Sequence, residues 1–138
     1  MKLLVAIDGS QHAAKALEVA GRLAAAAGAD VLVVHQRSDG SIDHGPVDPS
    51  PEGVDTAQSL VDSAVATVLT AGAASARGRV VRGLHGEEAQ VLMDVAREED
   101  VEIIVVGPRG MGRLRGLLVG SVTDRLVQLS DRPVLVVR

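Results

Sequence analysis

The 138-residue chain is 46% hydrophobic with a net charge of −4, a length and apolar content that suit one domain around one full core. It contains no Phe, Tyr, Trp or Cys, which excludes aromatic base-stacking nucleic-acid modules, disulfides, thiolate nucleophiles and cysteine-based metal sites. Residues 1–100 carry 8 Lys or Arg against 15 Asp or Glu, whereas residues 101–138 carry 6 Arg against 3 acids, so a locally positive segment of an acidic protein is available to face a small anion.

The opening MKLLVAIDGS reaches a turn too early for a signal-peptide apolar region, and no apolar run approaches about 18 residues. A cytoplasmic protein with no membrane partner is expected. Residues 3–7 are a continuous apolar run without polar alternation, the mark of a strand covered on both faces. From Gln11 the period changes: Gln11, Lys15, Glu18 and Arg22 form a polar stripe, and Ala13, Leu17, Ala20, Leu23, Ala24 and Ala27 line the opposite face of a helix. Ser10 suits its N-cap and Gly28 its end. A second buried strand spans residues 31–34.

Residues 37–53 are rich in Ser, Gly, Asp and Pro and read as a long loop within the domain. Asp43, His44 and Asp48 fall in it and read as solvated. A second helix follows through Val54, Ala57, Val61, Ala64, Val65 and Val68, with β-branched residues that leave packing to hold it. Residues 79–82 form a short third strand, 87–99 a third helix with Val91, Leu92, Val95 and Ala96 inward, and 101–106 a fourth strand. A glycine-rich loop covers 107–120. Ser121 is placed to cap a last helix to Leu129, and Val134, Leu135, Val136 and Val137 make a fifth strand. Strands alternating with helices imply right-handed βαβ crossovers, hence an open, parallel, five-stranded Rossmann-like α/β sheet with helices on both faces. The expected strand order is 3-2-1-4-5, with ligands outside the carboxyl ends of strands one and four. Residues 1–138 are read as one domain.

The loop holds five glycines in 14 positions (Gly107, Gly110, Gly112, Gly116 and Gly120) between a buried strand and a helix. Such backbone is entropically costly, but its amides can approach an anion closely and the following helix adds its positive end. Arg109, Arg113 and Arg115 can supply charge. The Walker pattern is absent, and a Rossmann dinucleotide fingerprint would follow the first strand rather than the fourth. No carboxylate or histidine in the loop has a clear claim to activate water, and His12, His44 and His85 show no metal-ligand spacing with one another. His35 reads as a satisfied strand-end histidine.

Gly107-x2-Gly110-x9-Gly120-Ser121 resembles the G-x2-G-x9-G-[ST] signature of the ATP-binding branch of the universal stress protein family. The likeness runs from LLVAIDGS to SVTDRLVQLSDRPVLVV, nearly the whole chain. It implies a nucleotide-binding protein with a regulatory role in stress response, more than a dedicated enzyme. The alternatives are a nucleotide-independent homodimeric interaction protein and a slow ATPase. On this resemblance Asp8 would accept from the adenine edge, with Ala6 and Ile7 as backbone neighbours. Gly107 and Gly110 would let the chain pass close to ribose and phosphates, beside Arg109. Gly120, Ser121 and Val122 would hold the phosphates, with Mg or Mn as counter-ion rather than an all-protein site. Two positions depart from the family pattern. Gln36 stands where an apolar residue commonly lies against adenine, and its amide gives up apolar contact while offering a hydrogen bond. Pro108 replaces a small hydroxyl residue and has no amide hydrogen. The resemblance also implies a homodimer through strand five, whose apolar edge invites pairing with a second copy.

Overall fold

A computed structural model describes residues 1–38, 53–108 and 119–138; the loop acids and His44 of residues 39–52, and Arg109, Gly110, Arg113 and Arg115, lie outside them. The strands are β1 (Lys2–Ile7), β2 (Asp30–Ser38), β3 (Ser75–Gly83), β4 (Ile103–Val106) and β5 (Val134–Val136). The helices are α1 (Gln11–Ala27), α2 (Val54–Thr70), α3 (Glu88–Glu98) and α4 (Ser121–Leu129). All strand pairs are parallel, as the alternation of elements predicts, and the order is the expected β3-β2-β1-β4-β5.

Period-2 alternation divides the strands between two cores. Leu3, Val5 and Ile7 of β1 join Val31 and Val33 of β2 under α1 and α2. Leu4 joins Leu32, Val34, Ile104 and Val106 under α3 and α4. Both faces of β1 are thus covered beyond Lys2, which is why residues 3–7 show no polar positions. With no aromatic side chain to fill space, the helices must come close. A Cβ on Gly21 of α1 would lie 2.5 Å from Ala71 Cβ and 2.6 Å from the Val68 carbonyl oxygen, so glycine at that position permits the α1–α2 approach. Ser10 Oγ accepts from the Ala13 amide, and Gly28 closes α1 in the left-handed region at φ 63°, both as the sequence suggests.

Two strands are longer than their apolar runs. β2 continues through His35, Gln36 and Arg37, and β3 begins at Ser75 and carries Arg77, Arg79 and Arg82. β3 is a sheet edge, so its polar residues meet solvent and hide the strand from an apolar count. The turn before β5 is fixed by Arg132, whose Nη1 donates to the Ala96 carbonyl at 2.7 Å and the Val101 carbonyl at 2.8 Å. Its Nε donates to Asp131 at 2.9 Å, and Arg97 Nε reaches the same carboxylate at 3.1 Å.

Hydrogen bonds from Arg132 and then Arg97 hold the Asp131 carboxyl down from 3.8 to about 2. A carboxyl depressed in the folded state stabilises the fold above its ordinary value and loses that contribution as pH falls through the folded one. Asp131→Asn should therefore lower the thermal midpoint at neutral pH, modestly because the pair is half-exposed. In melts against pH, the gap between parent and variant should close between about pH 4 and about pH 2.

Candidate functional site

The strand order reverses between β1 and β4, and their registers define what surrounds that point. Leu3 pairs with Ile103 and Val5 with Val105, so extension of this register sets Asp8 level with Pro108. Ile7 pairs with His35, so Gln36 stands level with Asp8 from the other side. β2 and β3 run on past the end of β1, through Gln36↔Val81 to Ser38↔Gly83. They wall one side of a crevice floored by the end of β1.

The other side is built by a clamp. The Gly120 amide donates to the Pro108 carbonyl at 2.7 Å, and the buried Thr123 hydroxyl donates to the Gly107 carbonyl at 2.8 Å. Together they set the start of α4 directly over the carboxyl end of β4. The N-cap is Gly120, not Ser121 as the sequence reading has it. Gly120 is extended at φ −75° and ψ 161°, and no side chain caps the helix. Ser121 is instead the first helical residue and is exposed, while Val122 is half-buried against the core under α3 and α4. By contrast, Ser10 supplies a side-chain cap to α1. Of these two helix N-termini beside the crevice, that of α4 presents first-turn amides without a side-chain acceptor.

At the end of β1, Ala6 is half-buried and Ile7 buried, and the Ile7 carbonyl accepts from the buried His35 Nδ1 at 3.0 Å. That bond satisfies His35 in the structural role expected of it. Half-buried Asp8 accepts from the Ser10 amide through Oδ1 at 2.9 Å, which orients its carboxylate and closes the turn into α1. Half-buried Gln36 donates from Nε2 to the Leu84 carbonyl at 3.2 Å. Asp8, Gln36, Gly107 and the start of α4 at Gly120, Ser121 and Val122 therefore converge on one end of the sheet. Among the described residues no group of three or more His, Cys, Asp or Glu is placed to hold a metal ion, and no helix is long and apolar enough to cross a membrane.

Four contributors escaped the sequence reading. Thr123 carries one half of the clamp. Arg125 Nη1 donates to the Gly86 carbonyl at 3.1 Å, tying α4 to the β3–α3 loop. Gly83 and Leu84 receive the Gln36 side chain. None lies in a recognisable motif, and only the long polar side chains at 36 and 125 hint that carbonyls must be found for them.

Gly107 also has a reason to be glycine that involves no ligand. An added Cβ would sit 3.0 Å from the His12 carbonyl carbon, carbonyl oxygen and Cβ in the first turn of α1. Backbone cannot yield there as a flexible side chain can. Gly107→Ala should therefore lose about 1–3 kcal/mol of stability in urea titrations of the protein without added ligand.

An open parallel sheet with its first and fourth strands parting beneath a helix N-terminus is a Rossmann-like α/β architecture. The sequence profile of the Universal stress protein family matches residues 1–138, and the chain belongs to that family. It is 33% identical to universal stress protein YxiE of Bacillus subtilis, over 99% of this chain and 98% of that protein. Among solved structures, a universal stress protein in complex with cAMP is 25% identical, covering 100% of this chain and 96% of that one at a TM-score of 0.79. The Archaeoglobus fulgidus universal stress protein in complex with dAMP shares the fold at 24% identity and a TM-score of 0.75, over 100% of this chain and 98% of that one.

Proposed function

We propose that residues 1–138 form an ATP-binding domain with a regulatory role in the cytoplasm, the nucleotide lying across the carboxyl ends of β1 and β4. The observation that carries this reading is the α4 N-terminus, held over the end of β4 by the Pro108–Gly120 and Gly107–Thr123 bonds and lacking a side-chain cap. A phosphate there accepts from amides that have no side-chain cap among the described residues, and meets the positive end of the helix. The cAMP and dAMP bound by related universal stress proteins support an adenine nucleotide as the ligand.

In this reading Ala6, Ile7, Asp8 and Gln36 attend the base. Gly107, Arg109 and Gly110 pass beside the ribose and phosphates, and Gly120, Ser121 and Val122 hold the phosphates. A Mg or Mn ion would travel on the phosphates, consistent with a site that offers few protein carboxylates. Calorimetric titration of folded, nucleotide-free protein with Mg-ATP should give binding near 1:1 per chain. Gly120→Val should weaken it by more than about twofold while far-ultraviolet dichroism stays near that of the parent. No heat and no protection at millimolar ATP would overturn the reading.

A homodimer through β5 is the second element of the proposal, and one observation favours it. The Ile104 amide donates to the Pro133 carbonyl and the Val137 amide to the Val106 carbonyl. Odd-numbered residues of this segment therefore bond inward to β4, which turns the amides and carbonyls of Val134 and Val136 toward the open edge. Leu135 is 36% exposed beside them. Two such edges related by a two-fold axis satisfy each other. Sedimentation equilibrium should return twice the 14.2 kDa chain mass. Val136→Pro should shift the protein to monomer with little loss of fold, whereas Leu135→Pro, which removes an inward donor, should destabilise the chain itself. A parent that remains monomeric at every accessible concentration would end this part of the proposal.

A further inference from the structure

Gln36 occupies an unusual position in the crevice wall. It follows Leu32 and Val34 on the α3–α4 face of β2, and it is level with Asp8 across the end of β1. Its Nε2 donates to the Leu84 carbonyl at 3.2 Å. A carbonyl can only accept, so this bond assigns the two ends of the amide. The amide lies against Gly83, where an added Cβ would come within 2.7 Å of Nε2, 2.8 Å of Cδ and 3.1 Å of Oε1. Glycine at position 83 is what lets the side chain lie there. The other end, Oε1, is buried without a hydrogen-bond partner among the described residues. An unmet buried acceptor is unfavourable, and the group that relieves it must be a donor.

We propose that Gln36 sets the base preference of this site: its Oε1 accepts a hydrogen from the exocyclic amino group of the bound base. The inference rests on nucleotide binding as proposed above and adds to it a specificity-determining contact. Leu84 and Gly83 fix the amide before the ligand arrives, so the acceptor is presented without a rotamer search. A base carrying an amino group at that edge satisfies it. A base carrying a carbonyl there sets acceptor against acceptor and leaves Oε1 unmet.

The test compares ATP with inosine triphosphate, which presents a carbonyl where ATP presents an amino group. Both are titrated calorimetrically with Mg into nucleotide-free protein. The parent should prefer ATP, and in Gln36→Met, which keeps length and removes the acceptor, the preference should shrink about fivefold. Because Asp8 also faces the base, some preference remains. Gly83→Ala displaces the amide while leaving the glutamine in the chain, and should shrink the ratio in the same direction if the methionine variant does not fold. A parent that binds both nucleotides equally, or a Gln36→Met ratio within about twofold of the parent's, overturns the role of Gln36 and leaves nucleotide binding intact. A parent that gives no heat with either ligand overturns the site itself, and this inference with it.

Discussion

The clamp between β4 and α4 is the constraint on which the candidate site depends. Two short bonds, Gly120 amide to Pro108 carbonyl and Thr123 hydroxyl to Gly107 carbonyl, close the ends of the glycine-rich segment onto each other. They hold the start of the helix against the end of β4. Thr123 is buried, so its hydroxyl is largely shielded from water and would be left unmet if the Gly107 carbonyl moved away. On the opposite side of the sheet, Gly107 packs on the first turn of α1. The end of β4 is thus held from both faces, and the crevice between β1 and β4 inherits its shape from that hold.

Much of this was legible in the sequence, and the exceptions have physical causes. The continuous apolar run at residues 3–7 marked a buried central strand, because burial on both faces leaves no room for polar residues; the fourth strand, expected from residue 101, begins at Ile103, past exposed Glu102. The parallel pairing followed from the βαβ alternation, which leaves strand order open; the order 3-2-1-4-5 was a further expectation, and the sheet has it. β3 was read as residues 79–82 only, because its first half, Ser75 to Gly78, is polar or small and mostly exposed at a sheet edge and looks like a loop. The last turn of β2 was under-read for a related reason: past the end of β1, its face turns from core to crevice, and apolar residues give way to His35, Gln36 and Arg37. The cap of α4 was assigned one residue late. A serine is the stronger N-cap by propensity, but the bond to Pro108 places the helix boundary at Gly120. That tertiary contact is invisible to any local rule.

The two helix N-termini near the crevice show how small that difference is in sequence and how large in consequence. Both begin with a glycine–serine pair: Gly9-Ser10 before α1 and Gly120-Ser121 at α4. At α1 the serine is the cap, and its hydroxyl consumes the Ala13 amide. At α4 the register is shifted by one, the glycine is the cap, and the serine moves into the first turn with its side chain exposed. The first helix end is closed by its own chain. The second has no side-chain cap among the described residues, and a hydroxyl stands beside it.

Consistency across levels is the ordinary condition of a folded chain, and departures from it concentrate at functional positions. Over most of this molecule the levels agree: alanine-rich helices approach closely, apolar strands are buried, and His35 and Arg132 find their carbonyls. Two departures lie at one end of the sheet. The first is a helix that forgoes a side-chain cap, which elsewhere stabilises by about 0.5–2 kcal/mol. The second is an amide oriented by Leu84 and Gly83 so that its acceptor is left unmet, at a cost of about 1–3 kcal/mol. One departure lacks an acceptor and the other lacks a donor. A nucleotide carries acceptors on its phosphates and, in adenine, a donor on the far side of the ribose. On the proposed reading, the phosphates of a nucleotide meet the first departure and the exocyclic amino group of its base the second.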